Sequence, residues 1–179
     1  MLKTNDMVVI GLGSNLGDSL EIVQTAMELL EQFALPGTFA RSSIWRTSPV
    51  DCPPGVGDFV NAVAGFAPHS ELEPLELLGR LKSIEAEFGR DQVRVRNAPR
   101  ELDLDLLLFG STRLQLPELT LPHPRAVQRL FVLQPLVEIA PDLVWPGLDQ
   151  SVAVLLEALD TDEVVERVEV APLQDAEQR

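Results

Sequence analysis

Asp103 and Asp105 stand two residues apart in the run ELDLDLLLFG, where carboxylates alternate with leucines. Alternation of this kind predicts a strand, in which side chains i and i+2 point to one face. The two aspartates then share a face with Cα atoms about 6.6 Å apart at ~3.3 Å rise per residue. Leu104, Leu106 and Leu108 line the other face. Paired carboxylates repel each other unless a cation lies between them, and hard oxygen donors suit Mg²⁺. Just upstream, residues 80–100 carry Arg80, Lys82, Arg90, Arg94, Arg96 and Arg100 against Glu85, Glu87 and Asp91, a net charge of +3. A positive island in a chain of net charge −14 suits a small polyanion such as a nucleoside triphosphate. A solvated helix end and loop fits the charge equally well. These residues lead us to expect a metal–phosphate site, with the rest of the chain supplying the second substrate.

The elements that must position this site fit within one globular unit. A length of 179 residues predicts a single domain over 1–179 with a buried core, and residues 160–179 form an acidic tail. No apolar run approaches the ~20 residues that span a bilayer, and the start MLKTNDMVVIGLG is too short in apolar residues for a signal peptide. Cys52 is the only cysteine, which rules out an intramolecular disulfide and fits a reducing cytoplasm. The net charge argues against nucleic-acid and anionic-membrane partners. A cytoplasmic monomer is expected.

Residues 7–12 read as a short buried strand, and the spacing of Gly11, Gly13 and Gly17 reads as a tight turn into a helix rather than a dinucleotide fingerprint. Asp18 is the expected N-cap, with Glu21 three residues on. Leu20, Val23, Met27 and Leu30 form the helix's apolar stripe. Residues 38–46 predict a second strand, followed by the loop TSPVDCPPGVG, long enough to suggest a binding loop. Residues 58–67 predict a third strand with Phe59, Asn61, Val63 and Gly65 on one face. Asn61 is the oddity there, and a local hydrogen bond is the simpler reading.

Ser70 and Glu73 predict a capping box for a helix whose stripe is Leu77, Leu81, Ile84 and Phe88, ended by Gly89. Glu85 lies just off that stripe, where a surface salt bridge is the simpler reading. Residues 113–116 suggest a hairpin return from the aspartate strand. His123 is held between two prolines, Arg125 and Arg129 follow on a short helix, and residues 131–139 form another helix. Residues 151–159 predict a further helix, and 163–170 a possible edge strand. The order β-α-β-β-α-β predicts an α+β, ferredoxin-like sandwich. Its antiparallel sheet carries helices on one face, and a helical extension follows at the C-terminus.

The blocks GLGSNLGD, WRTSPV, DFVNAV, APRELDLDLLLFG and LPHPR…RLFVLQPLVEIAP, in that order over about residues 7–145, resemble the 6-hydroxymethyl-7,8-dihydropterin pyrophosphokinase family of folate biosynthesis. The resemblance implies a ferredoxin-like fold and transfer of the pyrophosphoryl group of ATP to the hydroxymethyl group of the dihydropterin, with release of AMP. It implies that Asp103 and Asp105 hold two Mg²⁺ ions on the triphosphate, and that Arg90 and Arg100 assist transfer. Glu85, Arg100, Leu106, Thr120, His123 and Arg129 match nucleotide-binding positions. Asn15, Thr47, Ser48, Val50, Phe59, Asn61 and Phe131 match the pterin side, with Phe59 and Phe131 as the two aromatic faces. The chain departs from the pattern at Asn97-Ala98, where many members carry tryptophan-glycine. The second loop arginine is a further departure, with Gln92, Arg94 and Arg96 the candidates for its place.

Two other functions compete. A two-metal phosphodiesterase or nucleotide hydrolase would use the same aspartates. A ferredoxin-like RNA-binding module would need exposed aromatics and a basic sheet face, which a tyrosine-free chain of charge −14 is poorly equipped to supply.

Overall fold

The computed structural model describes residues 6–49, 52, 54–89 and 101–170. The first half runs β1 (Val8–Ser14), α1 (Ser19–Leu30), β2 (Ala40–Arg41), β3 (Ile44–Thr47), β4 (Phe59–Phe66) and α2 (Pro74–Glu87). The second half runs β5 (Asp103–Phe109), β6 (Leu114–Gln115), β7 (Thr120–Leu121), α3 (Leu130–Ile139), β8 (Val144–Trp145), β9 (Gln150–Ser151), α4 (Val152–Ala158) and β10 (Val165–Val168). The main sheet has the order β10-β3-β4-β1-β5, with β2 also on β4, and every pairing in it is antiparallel. The ferredoxin-like core is the β1-α1-β3-β4-α2-β5 part of this, and β10 is the edge strand suggested for the tail.

One sheet face is apolar along its length. Val8, Ile10 and Leu12 of β1, Ala62 and Ala64 of β4, and Leu104 and Leu106 of β5 pack against Val23, Ala26, Met27 and Leu30 of α1 and Leu77, Leu81 and Ile84 of α2. Burying each large side chain is worth ~1.5–3 kcal/mol, more than the ~1 kcal/mol of a typical N-cap, so the stripes set where these helices lie. Asp18 does cap α1, accepting the Glu21 N–H at 3.2 Å. The capping box expected at Ser70 does not form. Pro74 takes the first helical position and Glu73 is the extended N-cap, with no side-chain capping bond. A residue before proline is pushed out of the helical region, which moves the helix start past Ser70.

The second face changes character along the strands, and this change makes the site. At one end Val9, Val63, Leu107 and Leu108 are covered by Val132, Leu133 and Leu136 of α3, with Leu143, Trp145 and Val152 beyond. The C-terminal extension thus folds across the sheet face opposite α1 and α2. Gly65 allows the close approach of α3, since a Cβ there would lie 3.2 Å from Ile139 Cδ1 and 2.8 Å from Met7 Cε. At the other end the same face presents Gly11, Gly13, Asn61, Asp103 and Asp105, which cannot pay for covering by an apolar helix, and a cleft remains. Three further expectations need correction. Gly11 and Gly13 lie inside β1, an interior strand paired on both sides, not in a turn. Residues 38–46 form two short strands because the chain breaks at Ser42-Ser43, where Ser42 Oγ accepts the Val63 N–H at 2.8 Å. Residues 114–115 pair with β7 instead of returning along β5.

Candidate active site

The cleft has a volume of about 450 Å³ and is walled by β1, β3, β4, β5, the start of α3 and residues 163–164. Its floor follows from register. Gly13 lies opposite Asn61 on one side and Asp103 on the other, and Gly11 lies opposite Val63 and Asp105. A strand glycine often marks close approach of another group, and here two of them leave bare backbone between an amide and a pair of carboxylates. A Cβ on Gly13 would stand 3.1 Å from Asn61 Oδ1.

On the β3–β4 side, Asn61 and Thr47 are both buried, and Asn61 Nδ2 donates to Thr47 Oγ1 at 2.8 Å. Asn61 is expected to bond neighbouring backbone; its amide instead reaches the side chain of Thr47 on the adjacent strand. Phe59, Ser48, Cys52 and Asn15 complete this end, and Phe131 enters from α3. Glu138 ties α3 to β3, accepting the Trp45 indole N–H at 2.6 Å and the Ser43 backbone N–H at 3.0 Å.

On the β5 side, Asp103 and Asp105 are half-buried and share the cleft-facing surface of the strand. They are answered by Arg125 and Arg129, which also line the cleft. The Arg129 guanidinium sits 5.4 Å from the centre of the Phe131 ring. Burial and the neighbouring Arg125 lower the Arg129 pKa, while Asp105, Asp103 and Glu163 act in the opposite sense; the group stays cationic. Arg125 and Arg129 flank a single 3₁₀ turn, Ala126–Gln128, with Arg129 as the N-cap of α3.

Four of the expected nucleotide residues gather at the outer edge of β5 instead of lining the cleft. Glu85 is buried, which corrects the surface salt-bridge reading, and its Oε1 accepts the Leu104 N–H at 2.8 Å. Leu106 points its side chain into the core, but two residues beyond Leu104 its backbone faces the same outer edge. Thr120 lies on β7 beside that edge, and the His123 N–H donates to Leu107 O at 2.9 Å. The expected roles of Arg90, Arg100 and Val50, and the departures at Gln92, Arg94, Arg96 and Asn97-Ala98, lie outside the described residues.

His123 Nδ1 accepts the Arg125 N–H at 3.2 Å, so its neutral form carries the proton on Nε2. Burial, then the charges of Arg129 and Arg125, lower its pKa from 6.5 to about 4, against a raising effect of Asp103. Because the folded value lies below the unfolded one, the stabilising contribution is present above pH 6.5 and is lost as pH falls through about 4. In the ligand-free protein the His123 ring resonances are expected to hold their neutral positions down to about pH 5 and to move only near pH 4. An NMR titration with a midpoint near 6.5 would contradict this environment.

Several lining residues have no counterpart in the expectations. Gly11 and Gly13 carry a signal, glycine inside an apolar strand pattern, that a tight turn shares. Gln128, Glu163 and Val164 had none, because their place depends on how the C-terminal segment returns. Among the described residues no cluster of three or more His, Cys, Asp or Glu side chains could hold a metal, and what the cleft would offer a cation is the pair of carboxylates Asp103 and Asp105. That is the pattern of a Mg²⁺ site completed by substrate phosphate and water, and the residues present fit it. No helix among those residues is long and apolar enough to cross a membrane.

A family model for 7,8-dihydro-6-hydroxymethylpterin-pyrophosphokinase matches residues 9–141. The 2-amino-4-hydroxy-6-hydroxymethyldihydropteridine pyrophosphokinase of Pseudomonas aeruginosa is 44% identical over 140 residues, covering 78% of this chain and 83% of that protein. The enzyme of the same name from Haemophilus influenzae is 42% identical over 138 residues, covering 77% and 84%. Among solved structures, the HPPK-DHPS of Plasmodium falciparum with pterin and p-hydroxybenzoate superposes with a TM-score of 0.64 at 16% identity, over 84% of this chain and 42% of that one. At that identity the likeness speaks to the fold alone, and the sequence relatives carry the rest. This chain belongs to the 7,8-dihydro-6-hydroxymethylpterin-pyrophosphokinase family.

Proposed function

We propose that this protein transfers pyrophosphate from ATP to the hydroxymethyl group of 6-hydroxymethyl-7,8-dihydropterin, releasing AMP, in tetrahydrofolate biosynthesis. The observation that carries this reading is the floor of the cleft. One continuous sheet surface runs from a buried amide–hydroxyl pair, across two glycines, to two carboxylates faced by arginines. A flat heterocycle with a polar rim suits the first end, and a polyphosphate bound to Mg²⁺ suits the second.

The residues divide accordingly. On the pterin side we place Asn61, Thr47, Ser48, Val50 and Asn15 at the rim of the heterocycle, with Phe59 and Phe131 against its faces. On the nucleotide side we place Arg129 and His123 toward phosphate, His123 as a neutral donor through Nε2–H. Glu85, Leu106 and Thr120 form the adjoining edge, where Glu85 acts by holding the end of β5 to α2. Arg90 and Arg100 are proposed to neutralise charge on the transferring group. Asp103 and Asp105 would hold Mg²⁺, two ions in our reading, which when bound neutralises phosphate oxygens and brings the pterin hydroxyl into line. The protein's own part is to fix both substrates on one rigid surface and to exclude water from the space between. No covalent intermediate on the protein is needed. We also infer that the protein acts in the cytoplasm as a monomer, without nucleic-acid or membrane partners, given its charge of −14 and single cysteine.

Incubation with ATP, Mg²⁺ and the dihydropterin should give AMP and pterin pyrophosphate in equal amounts. AMP or ADP formed at the same rate without pterin would support a nucleotide hydrolase and overturn this reading. Gly13 offers a finer check. Gly13→Ala sets a Cβ 3.1 Å from Asn61 Oδ1 and must displace that amide. We expect an approximately fivefold rise in KM for the pterin, equivalent to about 1 kcal/mol, and little change in KM for ATP.

A further inference from the structure

The chain returns to the cleft after α4, beyond the segment that matches the family model. β10 adds to the outer edge of β3 with Val165 opposite Thr47, which places residues 163–164 over the β3 end of the cleft. Glu163 and Val164 both line it. Glu163 Oε2 accepts the backbone N–H of Leu130 at 2.9 Å, and the Glu163 N–H donates to Thr161 Oγ1 at 3.2 Å, which holds the segment in place.

α3 opens at Leu130 without a cap of its own. Arg129 occupies the N-cap position in an extended conformation and its side chain makes no capping bond. The first N–H groups of a helix need acceptors from elsewhere, and here one comes from a residue 33 positions later in the chain. Arg129 immediately precedes the bonded residue and Phe131 immediately follows it, both line the cleft, and the guanidinium lies over the ring. A carboxylate beside a cleft for a polyanion would by itself repel the ligand. Its presence makes physical sense as the group that orients this turn.

We propose that Glu163 is a positioning residue of the site: by holding the Leu130 N–H it sets the first turn of α3, and with it the placement of Arg129 toward the nucleotide and Phe131 toward the pterin. This rests on the pyrophosphokinase reading of the cleft. The test separates reach from charge. Glu163→Asp keeps the charge but is one methylene too short to reach Leu130, whereas Glu163→Gln keeps the reach with a neutral acceptor.

Binding of 6-hydroxymethylpterin and of a non-hydrolysable ATP analogue with Mg²⁺ is measured by calorimetry on the full chain, with unfolding temperature in parallel. Glu163→Asp should weaken both ligands by about five- to tenfold, the scale of one lost N-cap bond. Glu163→Gln should restore both to within about twofold of the parent on the same scale. Parent-like affinities in Glu163→Asp with only a lower unfolding temperature would reduce the residue to a structural prop and overturn the proposal. Equal weakening in both variants would overturn it too, since reach would then be irrelevant. If the parent protein binds neither ligand, the pyrophosphokinase reading fails first; if the parent binds both and neither variant differs, only this inference fails.

Discussion

Asp105→Ala is expected to lower kcat for pterin-dependent AMP formation by about 10³-fold or more, equivalent to ~4 kcal/mol of transition-state stabilisation. The side chain is half-buried on the cleft face of β5, opposite a glycine, while the packing of that strand rests on Leu104 and Leu106 on the far face. Its loss therefore removes an oxygen donor for Mg²⁺ without opening a cavity in the core. The unfolding temperature should change little, because the repulsion from Asp103 and the attraction to Arg129 are lost together. Asp105→Asn should fail similarly, since a neutral amide keeps the shape but not the charge. Steady-state kinetics across a Mg²⁺ series, with circular dichroism as the control for folding, would decide the matter. Activity within about tenfold of the parent in both variants, a deficit of only ~1.4 kcal/mol, would sink the assignment of Asp105 to the metal.

Asn61→Ala should act on one substrate only. The amide is buried, donates to Thr47 Oγ1, and has its Oδ1 over Gly13. Removing it takes away a rim contact to the heterocycle and leaves a buried hydroxyl with less to bond to, each costing ~1–2 kcal/mol. A rise of about 10- to 100-fold in KM for the pterin is expected, against less than about threefold for ATP, by the usual conversion of 1.4 kcal/mol per decade. The measurement is a pair of saturation curves, each with the other substrate in excess. A parallel rise in both KM values would mean that Asn61 only holds β3 to β4, and the pterin end of the cleft would have to be sought elsewhere.

Much of the frame was readable from local pattern. Leu104 and Leu106 of β5 and the stripe of α1 announce their periods, and a period of 2 or 3.6 states which side chains share a face without any tertiary knowledge. The same logic placed Asp103 and Asp105 together, and the Asp18 cap and Gly89 stop are local backbone chemistry. Misreadings came where a local signal had two meanings. Gly11 and Gly13 follow an apolar run and look like a turn, yet they lie in mid-strand because β4 and β5 pair with them on both sides. Glu85 looks like a surface charge at a helix end, yet β5 covers it and its carboxylate meets a strand N–H.

What the sequence by itself determined is most of the faces, including those of the two carboxylates and the lone amide, but not that of Leu108, which a register shift opposite Val9 and Ile10 turns away from Leu104 and Leu106. Only the tertiary structure decided how those faces meet. Register across three strands joins Asn61, Gly13 and Asp103 into one row. The return of the chain after α4 brings Glu163 to Leu130. The reason is physical. Periodicity is a property of neighbouring residues, whereas register and chain return are set by the burial of apolar surface between segments distant in sequence, and no local spacing encodes which of them will meet.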